Sequence, residues 1–403
     1  MCPYLPSGYS GGGGLKNKYD IVVVGGGPAG SWAAKHAAEK GVSVLLLEKD
    51  REIGMSVRCA EGISEIGLRS LVDVKDCWIA QVIKGLRLIA PNGTVVESSA
   101  EGFGIVLNRK RFDYDLAHMA SQAGAEVVTK AYVHGLLKRD GRVTGVKLSH
   151  MGQECKVSCS IVIGADGVES RVGRWAGLDT RTIPKDMETC VQMTLTNIDI
   201  DPEIVEFYFG RQVAPGGYLW IFPKGSGTAN VGLGISGLYS RNKKPLHYLR
   251  EFVGDRFPDA SILKTVAGGV PAMPTLKEIV KNGLMLAGDA AHQANPVSGA
   301  GIGNAMIAGR IAGRVAAEAV QEGEVTAKRL SAYAKGWHKA EGRKNERFYK
   351  IKKVVDRFSD EDLNRTAEML LSVPPEERTP LQIFKKALYK HPKFIIEAIK
   401  AFS

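Results

Sequence analysis

Ile21-Val22-Val23-Val24-Gly25-Gly26-Gly27-Pro28-Ala29-Gly30 is the stretch on which the fold turns. Its first four residues are a short apolar run, suited to a parallel strand buried on both faces. Glycines at the spacing G-x-G-x-x-G follow. Pro28 then opens a helical pattern that runs to Lys40, with Gly41 just past its end. Val42 to Leu47 reads as a second buried strand, ending at Glu48. Such a strand–helix–strand unit predicts a dinucleotide site. The glycines permit a tight turn and close approach of backbone to pyrophosphate, and the helix N-terminus offers unpaired N–H groups at a positive dipole end. Gly25, Gly27, Ala29 and Gly30 are the expected pyrophosphate contacts, and Glu48 can accept hydrogen bonds from ribose hydroxyls. A glycine-rich turn without this setting would be ordinary.

Downstream, Leu86 to Val106 reads as short strands around a Pro91-Asn92-Gly93 turn, and Phe112 to Ala123 as an amphipathic helix. Gly124 to Tyr132, Gly145 to Leu148 and Ile161 to Ile163 read as strands. From about Thr182 the character changes to alternating runs such as Tyr218-Leu219-Trp220-Ile221-Phe222, which predict an antiparallel sheet. Leu284 to Ala287 returns to the buried-strand style and leads into a small-residue helix. The expected boundaries are a flexible leader at 1–18, a discontinuous nucleotide domain at 19–181 and 270–325, a sheet domain at 182–269, and a helical region at 326–403.

Bulk properties bound the partners. With 44% hydrophobic and 24% charged residues, the 403-residue chain is globular in composition. Its formal net charge of +11 suits an acidic protein partner or an anionic lipid surface, or is simply a solvated surface. Without finger spacing or an arginine-rich tail, nucleic acid is not expected. The basic run Arg343 to Lys353 is a solvated face or a contact for lipid phosphates or an acidic electron carrier. No apolar run is long enough to span a membrane; the nearest, Ala305 to Val320, carries Arg310 and Arg314. Six unpaired cysteines favour a reducing cytoplasm, with peripheral contact at the inner membrane face allowed. Cys155-x-x-x-Cys159 lacks a second pair of ligands, and no metal is expected.

Two further motifs narrow the dinucleotide. Gly164-Ala165-Asp166-Gly167-Val168-Glu169-Ser170-Arg171 and Gly288-Asp289-Ala290-Ala291-His292, the latter followed by Gly299-Ala300-Gly301-Ile302-Gly303-Asn304, join the first loop. Together they resemble the flavoproteins of the p-hydroxybenzoate hydroxylase fold, which implies FAD. Asp289 at a strand end can bind ribityl hydroxyls, and the helix opening near Gly301 can direct its positive end at the flavin pyrimidine. The resemblance implies an α/β chain (α+β overall): a Rossmann-like FAD-binding domain, an inserted antiparallel-sheet substrate domain and a helical C-terminal region.

Within that fold the chain is similar to the geranylgeranyl reductases. Ser56-Val57-Arg58-Cys59-Ala60-Glu61-Gly62 resembles their P-x-R-C-x-E-G loop. Tyr218-Leu219-Trp220-Ile221-Phe222-Pro223 resembles their Y-x-W-x-F-P signature, and Leu107 to Asp113 their L-x-R-x-x-F-D segment. The likeness is strongest to archaeal members, which saturate isoprenoid chains of ether phospholipids. It implies flavin contacts at Glu48, Arg58, Cys59, Ala60, Gly62, Arg109, Asp289, Gly301 and Ile302, with Ala131 on the adenine side. Read without the family, Tyr218, Trp220 and Phe222 share one strand face, where they form either a core or the wall of a prenyl tunnel. Cys59, beside a cation that lowers its pKa, is the expected flavin contact and proton donor; the bland alternative is a small core residue. Two other functions share these motifs: an aromatic monooxygenase or halogenase, and a prenyl-lipid-binding flavoprotein without turnover. The electron donor expected is a ferredoxin or a reduced deazaflavin.

Overall fold

The computed structural model describes residues 15–55 and 57–374. The expected leader therefore lies outside the described residues up to residue 14, as does the C-terminal region from residue 375. The first strands are β1 (Lys18–Val24), β2 (Val44–Leu47), β3 (Gly62–Ile63), β4 (Ile79–Ile89) and β5 (Val95–Leu107). Next come β6 (Glu126–Val128), β7 (Ala131–Arg139), β8 (Arg142–His150) and β9 (Gln153–Gly164). The later strands are β10 (Met187–Thr196), β11 (Ile204–Tyr208), β12 (Tyr218–Pro223), β13 (Thr228–Ser236), β14 (Ser261–Pro271), β15 (Val280–Lys281) and β16 (Leu284–Leu286). The helices are α1 (Pro28–Ala38), α2 (Glu65–Arg69), α3 (Arg109–Gln122), α4 (Arg171–Ala176) and α5 (Pro245–Arg256). They continue as α6 (Ile302–Gln321), α7 (Ala327–Trp337), α8 (Arg343–Val355) and α9 (Asp360–Leu371).

Among the described residues the strands form two eight-stranded sheets. In the first, β1 lies between β2 and β9 in parallel, with Val22 opposite both Leu45 and Val162. β16 returns to the other edge of β9, Met285 opposite Ile163. Ile21 to Val23, Leu45, Leu46, Ile161 to Ile163 and Leu284 to Leu286 are fully buried, as continuous apolar runs in a covered parallel sheet must be.

The second sheet runs β14-β10-β13-β12-β11-β4-β5-β3. It draws on more of the chain than the expected sheet domain. Residues 182–269 supply five of its strands, but β3, β4 and β5 come from 62–107, a stretch read as part of the nucleotide domain. The sheet is also mixed: β11 pairs in parallel with β4, Phe207 opposite Leu88. A partner about 120 residues away leaves no mark on local periodicity, so which sheet a strand joins is decided by tertiary contact.

The small-residue helix α6 packs on α1 at close range. A Cβ on Gly309 would lie 2.3 Å from the Ala29 carbonyl oxygen, and one on Gly313 would lie 2.2 Å from that of Ala33. No helix among the described residues is long and apolar enough to cross a membrane. α3 starts one turn earlier than expected, at Arg109, because the Asn108 side chain caps it by accepting from the Arg111 N–H.

Candidate active site

A cavity of about 1370 Å³ runs between the two sheets. Every expected site residue lines it except Gly30. The three glycines of the first loop divide their work. Gly25 has φ +106°, and a Cβ there would sit 2.3 Å from the Ala165 carbonyl oxygen. A Cβ on Gly30 would come within 1.9 Å of the Gly25 carbonyl oxygen, so this glycine serves helix–strand packing and makes no cavity wall. A Cβ on Gly27 would meet nothing within 4 Å; it faces open cavity. These are the turn, packing and close-approach roles that a pyrophosphate loop requires.

Glu48 is set by its own loop. Its carboxylate accepts from the Gly26 N–H at 2.7 Å and the Asp50 N–H at 2.9 Å. Ala131, buried at the start of β7, donates its N–H to the Glu48 carbonyl at 2.9 Å. Helix α1 has Gly27 as N-cap, no side-chain cap and no acidic residue in its first turn, and α6 has the same character behind Gly301. Two free helix N-termini therefore meet the cavity, with donors available to anionic groups.

The acceptors are equally suited to a flavin dinucleotide. Asp166 Oδ2 accepts from the Val172 N–H at 2.9 Å, while its buried Oδ1 has no partner. The Asp289 carboxylate accepts no hydrogen bond among the described residues. Burial raises its pKa, and Arg109 partly opposes that. Arg109 itself is buried and grips Asp113. Burial works against its charge, but Asp113, Cys59 and Glu61 together outweigh burial and keep it protonated. Loop glycine open to the cavity, uncapped helix ends and carboxylate oxygens with spare acceptor capacity together fit FAD. His292, fully buried as the left-handed end of the Gly288–Ala291 turn, is held neutral, its pKa lowered to about 4 by burial.

Cys59 lines the cavity, but the expected electrostatics are corrected. Burial raises its pKa, and the cation that opposes this is Arg109 from α3, not its neighbour Arg58. Arg58 is exposed and lies along Gly268, its Cδ 3.4 Å from where a Cβ would be. The Cys59 thiol is therefore a protonated group facing the cavity. Gly62 is packed by Phe222, whose Cε1 would stand 2.1 Å from a Cβ. The two signature segments thus meet directly.

Tyr218 and Trp220 stack edge-on at 5.9 Å between ring centroids, and Phe207 of β11 sits 5.5 Å from Tyr218 and 5.7 Å from Phe222. Ile83, Leu86 and Leu88 of β4 continue the same lining. Phe207 and the β4 residues escaped the sequence reading, because only the pairing of β11 with β4 brings them to this wall. Gln192, Asn230 and Glu188 escaped it too: single polar residues within apolar strands carry no local signal. At the far end Lys352 of the basic helix turns inward, pairing with Glu188 at 3.3 Å and Asp356 at 3.0 Å. Burial lifts the Glu188 pKa to about 7. Cys155 and Cys159 lie four residues apart on β9, roughly 13 Å along a strand, too far to share one metal ion.

Residues 20–218 match the model of FAD dependent oxidoreductases, and residues 186–270 match that of the geranylgeranyl reductase catalytic domain. Over 389 residues the chain is 46% identical to the digeranylgeranylglycerophospholipid reductase of Methanocella arvoryzae, covering 96% of this chain and 99% of that one. The chain belongs to the geranylgeranyl reductase family. A second reductase of the same name, from Methanosarcina acetivorans, is 47% identical over 95% of each chain. A solved geranylgeranyl bacteriochlorophyll reductase-like protein from Thermoplasma acidophilum superposes with a TM-score of 0.90 at 34% identity, covering 96% of this chain and 99% of that chain. A flavin-dependent brominase, at a TM-score of 0.69 and 20% identity over 93% of this chain and 99% of its own, shares the fold alone. This family member is an FAD-dependent oxidoreductase with the α/β architecture that the glycine loop implied.

Proposed function

We propose that this chain saturates the double bonds of geranylgeranyl chains on archaeal ether phospholipids, as part of membrane-lipid biosynthesis. One observation carries the reading: a single cavity continuous from the dinucleotide loop to an aromatic and aliphatic chamber, in a chain whose relatives are named for this reduction.

An isolated trisubstituted alkene has no carbonyl to polarise it, so hydride alone would create an unstable carbanion. A proton must reach the neighbouring carbon in the same event. Bound and reduced, FAD supplies the hydride. The chain supplies the rest. Gly25, Gly27, Ala29, Glu48 and Ala131 would hold the dinucleotide end; Ala60, Arg109, Asp289, Gly301 and Ile302 would hold the flavin end. Tyr218, Trp220 and Phe222 would orient the prenyl chain and exclude water. Cys59, kept protonated by burial, would hold the proton and release it at the alkene carbon.

A ferredoxin or a reduced deazaflavin is the donor that fits, because the sequence holds no second strand–turn–helix glycine loop for a nicotinamide dinucleotide. Peripheral contact with the inner membrane face, through basic residues of α8, would deliver the lipid.

The test is anaerobic. The purified protein, its flavin reduced chemically, is given a geranylgeranylated archaeal phospholipid, and mass spectrometry should show two hydrogens gained per double bond. Unchanged lipid, with oxygen-dependent modification of an aromatic instead, would sink the reductase reading. Binding without any turnover would leave a lipid carrier. Cys59→Ser should keep FAD and lose turnover; undiminished turnover would remove its role as proton source.

A further inference from the structure

The loop that carries Cys59 is gripped from the second sheet. Glu61 sits at φ +75°, a left-handed conformation that is uncommon for residues other than glycine. It brings the Glu61 N–H to Cys59 Sγ at 3.2 Å. The buried Glu61 carboxylate receives Lys224 Nζ, just beyond β12, and Asn230 Nδ2 of β13 at 3.1 Å. Asn230 is oriented in turn, because its Oδ1 accepts from Thr194 Oγ1 at 2.8 Å, and its Nδ2 also reaches the Ala60 carbonyl at 3.4 Å. Gln192 completes the grip. It donates to the Cys59 carbonyl at 3.1 Å and accepts from the Trp220 indole N–H at 3.1 Å.

Strained backbone persists only where its surroundings over-determine it. Here three side chains distant in sequence, Lys224, Asn230 and Gln192, do so. A buried ion pair is poor evidence of stabilisation, since desolvation offsets much of the attraction. Its position beside a cavity-facing thiol points instead to geometry.

We infer that Glu61, locked by Lys224 and Asn230, is a positioning residue for Cys59. It directs its own N–H at the sulfur and ties the Arg58–Gly62 loop to the strand bearing Tyr218, Trp220 and Phe222, so that thiol and aromatic wall hold one relative geometry. The catalytic consequence rests on the proposed role of Cys59; the positioning of the thiol does not.

The test reads the thiol directly. The intact FAD-loaded protein is alkylated with iodoacetamide across a pH series, and trypsin cleavage after Arg58 and Arg69 isolates the Cys59–Arg69 peptide. Lys224→Met leaves Glu61 charged and unheld beside the sulfur, and should move the alkylation midpoint up by about one pH unit, the scale of one hydrogen bond to a charged group. Under anaerobic assay kcat should fall about tenfold with KM little changed. Glu61→Gln combined with Lys224→Met removes both charges and should bring the midpoint back toward the parent. Asn230→Ser loosens the same loop without stranding a charge, and should shift the midpoint in the direction of Lys224→Met even where that variant does not fold. An unshifted midpoint in Asn230→Ser, or a neutral pair as impaired as Lys224→Met, would overturn the inference. Fully active Cys59→Ser, together with a shifted midpoint in Lys224→Met, would remove the catalytic role and leave the positioning intact.

Discussion

Arg109 closes a two-point grip on Asp113 one turn along the same helix, with Nε to Oδ1 at 2.7 Å and Nη2 to Oδ2 at 2.8 Å. Both side chains are buried and both line the cavity. The pair presents a guanidinium of fixed orientation to Cys59 and Asp289, whose pKa values it opposes raising. Asp113→Ala would leave that cation buried without its partner. The expected cost is about 3–5 kcal/mol of folding stability, the range for breaking a buried pair from one side. Urea unfolding of the variant and the parent checks it; a loss under about 1 kcal/mol would refute the argument.

The glycines of the first loop should separate by substitution. Gly30→Ala drives a methyl group into the Gly25 carbonyl, so the protein without FAD should lose roughly 3 kcal/mol, the upper end of overpacking costs. Gly27→Ala meets no protein atom. Its melting temperature without FAD should match the parent, while FAD affinity falls on the order of tenfold, about 1.4 kcal/mol. Thermal melts and flavin titration separate the two outcomes.

Gly62 and Phe222 should behave as a coupled pair. Gly62→Ala alone should cost roughly 1–3 kcal/mol, because the methyl group meets the Phe222 ring. Adding Phe222→Leu should recover part of that loss, with a coupling energy of about 1 kcal/mol in a double-mutant cycle. Strict additivity would show that the ring yields freely.

His292 predicts an acid limit. Its folded pKa of about 4 lies below the ordinary 6.5, so the unfolded chain takes up the proton first. The stability it contributes is complete above pH 6.5 and is lost as pH falls toward 4. The 2.5-unit depression corresponds to roughly 3 kcal/mol. Urea midpoints measured at pH 7 and pH 4.5 should differ more in the parent than in His292→Asn, which tolerates the left-handed backbone without titrating.

Some of the site could be read locally. Arg109 and Asp113 are four residues apart within a helical pattern, and the turn from β1 into α1 is written in ten consecutive residues. Gln192 and Asn230 could not be found this way, since nothing in an apolar strand says which of its polar residues will face a loop more than 100 positions earlier. Cys59 shows the intermediate case. Its place in a loop that lines the cavity follows its motif, but its ionisation was not readable: the sequential neighbour Arg58 points away, and the cation that matters arrives from α3.

Sequence alone determined what short-range sterics and periodicity control: a strand–turn–helix loop for a dinucleotide, the buried runs of the first sheet and three aromatics on one strand face. Tertiary structure alone decided the second sheet's membership, the contact between Gly62 and Phe222, and the rise of the Cys59 pKa on burial. Each of these depends on atoms brought together across 100 residues or more, or on the loss of water that only packing imposes. The loop from Gly25 to Gly30 needs neither, because its geometry is set by its own backbone.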